Sequence, residues 1–401
     1  MSVSGVPAFS IDDPAIVADP YPAFTRMRAV GRPVWDDSLG MWLAFRHADA
    51  NAVLRDRSLG RVWRARVPED AWETFNWLHA DALLENEPPK HTRLRRLVAA
   101  AFARGNIDAR RPRIQELCAE LLDGCATKLA ETGSFDAIAD YAEPLPVLVI
   151  ADLLGVPEDE VGPLRPWSQA IVKMYEYDRT PEDDRRAEVA CREFAAYVAE
   201  LVDRRRVEPG DDFVTHLAQV EAEGERLSAH ELAATVVLLL NAGHEATVNG
   251  FGNGLVALMD HRDQWDRVVA DPWALCATAV EEMLRYDTPS ALFERTALAD
   301  VEIGGSTIRE GQKIAALLGS ANRDPEVFAD ADSCDVGRDP NPHIAFGAGI
   351  HFCLGGPLAR LEMQQSLPML AERFPTLEVV GTPVKRSTFV LRGYDTVFVT
   401  A

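Results

Sequence analysis

Cysteine is scarce in this chain: six residues, at 118, 125, 191, 276, 334 and 353, with no C-x-x-C pair among them. That excludes a disulfide scaffold and makes a reducing cytoplasm the expected location. No apolar run reaches the roughly 20 residues that a membrane-spanning helix needs; the longest are LPVLVIADLLGV at 145–156 and VVLLL at 236–240. The opening MSVSGVPAFS lacks a basic segment ahead of an apolar one and does not read as a signal peptide. Positive charge is short as well. Against 63 Asp and Glu stand 41 Lys and Arg, a net charge of −22 that disfavours nucleic acid and anionic membrane surfaces as partners. Repeats and long Gly/Ser linkers are missing, so residues 1–401 read as a single domain.

What is present is ordinary globular composition, 47% hydrophobic and 26% charged. Helical periodicity dominates. Residues 113–131 place Ile114, Leu117, Cys118, Leu121, Leu122, Cys125 and Leu129 on one face, and 185–206, 228–260 and 272–286 also read as helices. Strand-like runs are short, so the expected class is mainly α with small β-sheets, the β-rich portion lying mainly at 30–60, 293–310 and 376–401. VEIGGSTI and TFVLRGYDTVFV read as hairpins around glycine turns.

The most informative helix opens with Ser228 and Glu231 as a capping box and continues LAATVVLLLNAGHEATVNGFGNGLVALM. Being apolar nearly all round, it should run through the centre of the molecule. Its middle nevertheless carries Gly243, His244, Glu245 and Thr247. A buried carboxylate is costly unless hydrogen-bonded, so these residues imply either a structural polar network or a cavity.

The sharpest signal is HIAFGAGIHFCLGGPLARLEM at 343–363. Glycines surround Cys353 and a helix follows it, an arrangement in which amide N–H groups stabilise a thiolate for metal ligation or nucleophilic attack. A zinc site built from His343, His351 and Cys353 has no fourth ligand at suitable spacing. A phosphate cradle lacks its third glycine, because Phe352 stands there. A buried, inert thiol is the plain alternative.

FGAGIHFCLG resembles the cysteine-ligand loop of the cytochrome P-450 family, F-G-x-G-x-H-x-C-x-G, at every specified position. HTRLRR (91–96), AGHEAT (242–247) and the E-x-x-R of EMLR (282–285) follow the family's order. The resemblance implies a helical prism with a long central helix and a small β-rich lobe. It implies haem b with Cys353 as axial thiolate to the iron, which favours O–O cleavage, and Phe346, Gly347 and Gly355 shaping the loop. His91, Arg95, Arg295, and His343 or His351 would contact the haem propionates, and Glu282, Arg285 and Arg338 would form a buried structural ion pair. Glu245 matches the acid of the proton relay. The position after it usually carries Thr; here it is Ala246, followed by Thr247, which would substitute for the missing hydroxyl along with ordered water or a substrate hydroxyl.

By the same resemblance, the chain is a cytoplasmic, monomeric monooxygenase of secondary metabolism. It would use O2 and electrons from NAD(P)H, delivered through a ferredoxin or flavodoxin and its reductase, to hydroxylate or epoxidise a bulky apolar or aromatic small molecule. Trp63, Trp77, Leu84, Leu238, Ala242, Ala291, Leu292 and Tyr394 are the expected pocket residues, with Trp72 and Phe75 in the same aromatic stretch. Lys90, Arg93, Arg95, Arg96, Arg104, Arg110, Arg111 and Arg113 against the single acid Asp108 suggest a docking patch for an acidic redox partner. The alternatives are a haem-thiolate enzyme of another reaction type (oxidative coupling, peroxygenation or rearrangement) and a non-catalytic haem-binding protein.

Overall fold

Ser228 starts the longest helix by a reciprocal cap. Its hydroxyl accepts from the Glu231 amide at 3.1 Å, and the Glu231 carboxylate accepts from the Ser228 amide at 2.9 Å, occupying two amides near the helix start. The helix runs Ala229–Asp260, 32 residues, or about 48 Å at 1.5 Å per residue. The computed structural model describes residues 7–99, 102, 104–219 and 226–401, with the side chain of Arg104 outside the description.

Helices surround this axis. Pro144–Leu154, Leu164–Val172 and Pro181–Val207 share an apolar core with its first half. Pro272–Tyr286 and Gly356–Arg373 share a second core with its later turns. At Gly254 the approach is so close that a Cβ would lie 2.4 Å from the Met283 side chain, so a larger residue there would push the helices apart. The helices read from periodicity appear at Arg111–Thr132, Pro181–Val207, Ala229–Asp260 and Pro272–Tyr286. No helix among the described residues is long and apolar enough to cross a membrane.

The main sheet has five strands. Lys313–Leu317 lies parallel to Met41–Ala44, with Leu43 opposite Ala315, and antiparallel to Leu292–Ala297, with Arg295 opposite Ile314. Val34–Asp36 and Leu59–Gly60 flank them. Alternate residues feed two cores: Met41, Leu43, Ala315 and Leu317 on one face, Ala44, Ile314 and Ala316 on the other. The central strand thus falls just beyond the expected 293–310 portion.

Of the two expected hairpins, Val301–Ile303 and Ser306–Ile308 pair as read. The second does not form. Phe389, Val390 and Leu391 donate their amides at 3.1, 3.0 and 2.7 Å to the buried carboxylate of Glu176, which takes the donors a strand ladder would need. Tyr394–Thr396 pairs instead with Val384–Lys385, and Phe398–Thr400 with Phe135–Asp136 and Glu378–Val379.

A buried ion pair ties the helical part to the segment that precedes the cysteine loop. Glu282 and Arg285 have fully buried side chains and meet at 2.7 and 2.8 Å. Arg285 also donates to the carbonyls of Asn322, Ala331 and Ser333 at 2.8–2.9 Å. Arg338 reaches Glu282 at 3.1 Å, and the Asp335 amide does so at 2.8 Å. Residues 322–338 are therefore held by one carboxylate and one guanidinium. A second buried acid, Glu362, has no such partner: it is 3% exposed, its Oε2 lacks a hydrogen bond among the described residues, and burial pushes its carboxyl up to about 8.

Two outcomes are expected. Glu282→Ala strands Arg285 in the core and lowers unfolding free energy by about 3–5 kcal/mol, read by denaturant unfolding; a loss under 1 kcal/mol contradicts this account. For Glu362 the native state holds its proton more tightly than the unfolded chain does, so stability falls as pH rises from about 4.5 to about 8. Glu362→Met should flatten that decline, measured as unfolding midpoints across the same window.

Candidate active site

The loop ahead of the Gly356–Arg373 helix is folded back on itself. The Cys353 amide donates to the Phe346 carbonyl at 3.0 Å, and the Gly347 amide to Ile344 at 2.9 Å. Gly349 sits at φ +71°, where a Cβ would lie 2.3 Å from the Leu54 carbonyl oxygen, so only glycine fits this crossing. Burial raises the Cys353 thiol above its ordinary value, opposed by amide hydrogen bonds from Gly355 and Gly356 and by the charges of Arg360 and Arg95. Cys118, Cys125 and Cys334, also buried, are pushed up to about 12. Phe346 lies beneath the Arg360 guanidinium, 4.2 Å from ring to carbon.

Arg360 is itself clamped by Glu281 at 2.6 and 2.8 Å. Burial would raise the Glu281 carboxyl, but the bonds from Arg360 and His343 overcome it and hold the group down at about 2. This corrects the expectation for His343. Its Nε2 is 2.8 Å from Glu281 and its Nδ1 accepts from the Ala345 amide at 3.2 Å, so both ring nitrogens serve the loop and neither is left for a ligand.

Donors with spare capacity gather nearby. His91 is 2% exposed, its Nε2 has no partner among the described residues, and burial lowers its pKa to about 4. Its ring lies 4.5 Å from that of His351, whose Nε2 is occupied by Glu87 at 2.8 Å. Arg95 donates to the Phe352 carbonyl at 2.8 Å. Arg295 is buried, and its one hydrogen bond among the described residues goes to the Glu294 carbonyl at 2.8 Å; burial, then the neighbouring Arg61, lowers its pKa to about 10. Orphaned buried donors beside a hydrogen-bonded thiol fit a cofactor that offers carboxylates to the former and an iron to the latter.

The central helix supplies the opposing observation. Between Glu231 and Leu258, the residues that are not buried are Leu238, Ala242, Gly243 and Ala246, one stripe at helical spacing. A helix enclosed by others can be accessible in its middle only if a cavity opens there. Leu238 and Ala242, two of the expected pocket residues, lie on this stripe. Glu245 is buried and salt-bridged to Arg386, which also lies 3.5 Å from the exposed Asp395. His244 is 1% exposed with neither ring nitrogen hydrogen-bonded among the described residues, and burial brings its pKa to about 4. Thr247 departs from expectation: it is buried off the stripe, and its hydroxyl donates to the Gly243 carbonyl at 3.1 Å.

Four other pocket residues fall elsewhere. Trp77 is 42% exposed and stacks on His230 with centroids 3.9 Å apart. Ala291 and Leu292 are sealed in the sheet core with Phe24 and Met41. Tyr394 lines a different cavity, with Asn253 and Val256. Leu84 and Trp63 are half-buried, Trp63 stacking on His79 at 5.3 Å, while Trp72 and Phe75 belong to the core and flank the Arg66 guanidinium at 4.7 and 4.8 Å. Sequence reasoning missed Arg386, Glu281 and Arg360, and it noted His244 without giving it a role. Of these only His244, polar in a buried helix, carried a local signal.

Comparison with known proteins follows this geometry. The family model described as Cytochrome P450 matches residues 46–271 and 274–392. The P450 monooxygenase PikC of Streptomyces venezuelae is 39% identical over 377 residues, covering 91% of this chain and 86% of that protein. The 6-deoxyerythronolide B hydroxylase of Saccharopolyspora erythraea is 39% identical over 371 residues, with 88% of each covered. Among solved structures, P450BioI in complex with a fatty-acyl carrier protein superposes with a TM-score of 0.90 at 33% identity, covering 96% of this chain and 98% of that one.

Proposed function

The chain belongs to the cytochrome P450 family, and we propose that it inserts one oxygen atom from O2 into a bulky, apolar organic metabolite. It is an oxidoreductase of the monooxygenase type. The observation that carries the reading is Cys353, set at the start of the following helix where the Gly355 and Gly356 amides and the Arg360 and Arg95 charges favour its anion against burial. Haem, when bound, supplies oxygen activation; the thiolate ligand favours O–O cleavage. Cys353 would hold it, with His91, Arg95 and Arg295 on its carboxylates and Phe346 and Gly347 shaping the loop. His351 contributes through Glu87, and Gly355 through its amide.

The remaining work falls to the protein. The stripe of Leu238, Ala242 and Ala246 offers an apolar wall, which suits an apolar substrate and keeps water from the reacting centre. The hydroxylase relative, named for acting on 6-deoxyerythronolide B, supports a substrate of that size class. Glu245 is the acid that passes protons inward, and Arg386 links it to the surface at Asp395. Electrons come from NAD(P)H through a ferredoxin-type partner. Its docking surface is less basic than the sequence suggests, because Lys90 pairs with Asp81, Arg93 with Glu231 and Arg110 with Asp152.

Two measurements test this. Cys353→Ser should abolish the reduced carbon monoxide band that reports thiolate ligation; retention of that band refutes the assignment. Glu245→Gln should lower kcat by about 10²-fold, the usual worth of a positioned acid, while substrate still shifts the ferric spectrum. Full turnover in that variant would remove Glu245 from proton delivery.

A further inference from the structure

A second cavity, of roughly 400 Å³, opens at the C-terminal end of the central helix. Val256, which lines it, is ten residues along from Ala246, about 15 Å away. The charge in its lining is unbalanced. Arg323 is held between the rings of Tyr21 and Tyr286, 3.6 and 3.7 Å from their centroids, and donates to the Tyr286 carbonyl at 2.8 Å. Lys385 donates to the Ala18 carbonyl at 2.6 Å. Asp287 accepts from the Tyr21 hydroxyl at 2.8 Å, and Asp332 lies 3.7 Å from Arg323. Asp19 and Asp260, exposed on the rim, have no cationic partner among the described residues.

Two nearly buried polar groups line the same space without partners. Asn253 is 2% exposed, and its Nδ2 donates to the carbonyls of Asp287 and Arg392 at 3.2 and 3.1 Å. That fixes the amide and leaves Oδ1 with no hydrogen bond among the described residues. Tyr394 is 6% exposed, and its hydroxyl likewise has none. An acceptor and a hydroxyl held in this way match a ligand hydroxyl, which donates to the first and accepts from the second. The two unneutralised carboxylates outnumber Lys385, which has no acidic partner among the described residues, and favour positive charge on the same molecule.

We propose that this cavity binds a small organic cation bearing a hydroxyl group, at a site distinct from the cysteine loop and the helix stripe. Choline is the probe, since its quaternary nitrogen has no lone pair with which to ligate a haem iron. Calorimetric titration of the haem-loaded protein should show one saturable site at millimolar choline or below, with no change in the haem absorption spectrum. Asp260→Asn and Tyr394→Phe should each weaken binding about tenfold, as expected for loss of one charge-assisted or buried polar contact. The uncharged tert-butyl analogue should not bind. Absence of saturation, equal binding of the analogue, wild-type affinity in both variants, or a choline-induced haem shift would each overturn the proposal. Should Tyr394→Phe fold poorly, Asp19→Asn on the exposed rim replaces it with the same expected loss.

Discussion

Burial works against a thiolate, and the architecture around Cys353 answers that opposition. The buried cysteines that lack this setting show what burial alone does: Cys118, Cys125 and Cys334 are pushed up to about 12. Cys353 is only half-buried, and amides of Gly355 and Gly356 and the charges of Arg360 and Arg95 favour its anion. Each of those groups needs its own support. The crossing at Gly349 sets the loop against Leu54, Glu281 and His343 orient Arg360, and the Glu282–Arg285 pair anchors the segment that leads in. Loss of any of these supports would leave the sulfur in place but harder to ionise.

The central helix shows the same economy with polar groups. Its buried polar side chains include His244 and Asn249 without partners, but the carboxylate between the two apolar cores, Glu245, meets a guanidinium from a distant segment of the chain. A buried pair of this kind contributes little net stability against a well-packed apolar alternative. Its position beside the accessible stripe suits it to the proton delivery proposed above. Glu176 is a structural counterpart: a buried carboxylate satisfied by three successive amides, which redirects residues 389–391 away from a strand.

Legibility in the sequence followed the range of the interaction. The long helix, its capping box and the cysteine loop were readable because spacing within a few residues determines them. So was the E-x-x-R pair, though not the three carbonyls that Arg285 gathers from residues 322–333. Arg386 was invisible, since nothing local marks an arginine that pairs 141 positions away. Trp77 misled because it sits on the Glu73–Ala80 helix, whose buried face is Phe75, Leu78 and His79 and leaves Trp77 outward. Ala291 and Leu292 enter the same sheet core although neighbours within a strand face opposite ways, because the strand begins only at Leu292 and Ala291 lies just ahead of it.

The proton path is where structure changes the chemistry most. Thr247 follows Ala246 by one position, about 100° around the helix, and its hydroxyl is already bonded to the Gly243 carbonyl. It therefore cannot stand in for a hydroxyl on the stripe without giving up that bond and rotating past its neighbours. Ala246 leaves a methyl group on the accessible stripe in its place, which on the proposed function widens the space available to substrate. On the proposed function, Glu245, paired with Arg386, is the acid beside this stripe, and the last donor in the path would be either ordered water or a hydroxyl that the substrate brings. A substrate that supplies the missing hydroxyl would be processed with little wasted reductant and one without it would not, so the same alanine that widens the chamber also makes turnover depend on what fills it.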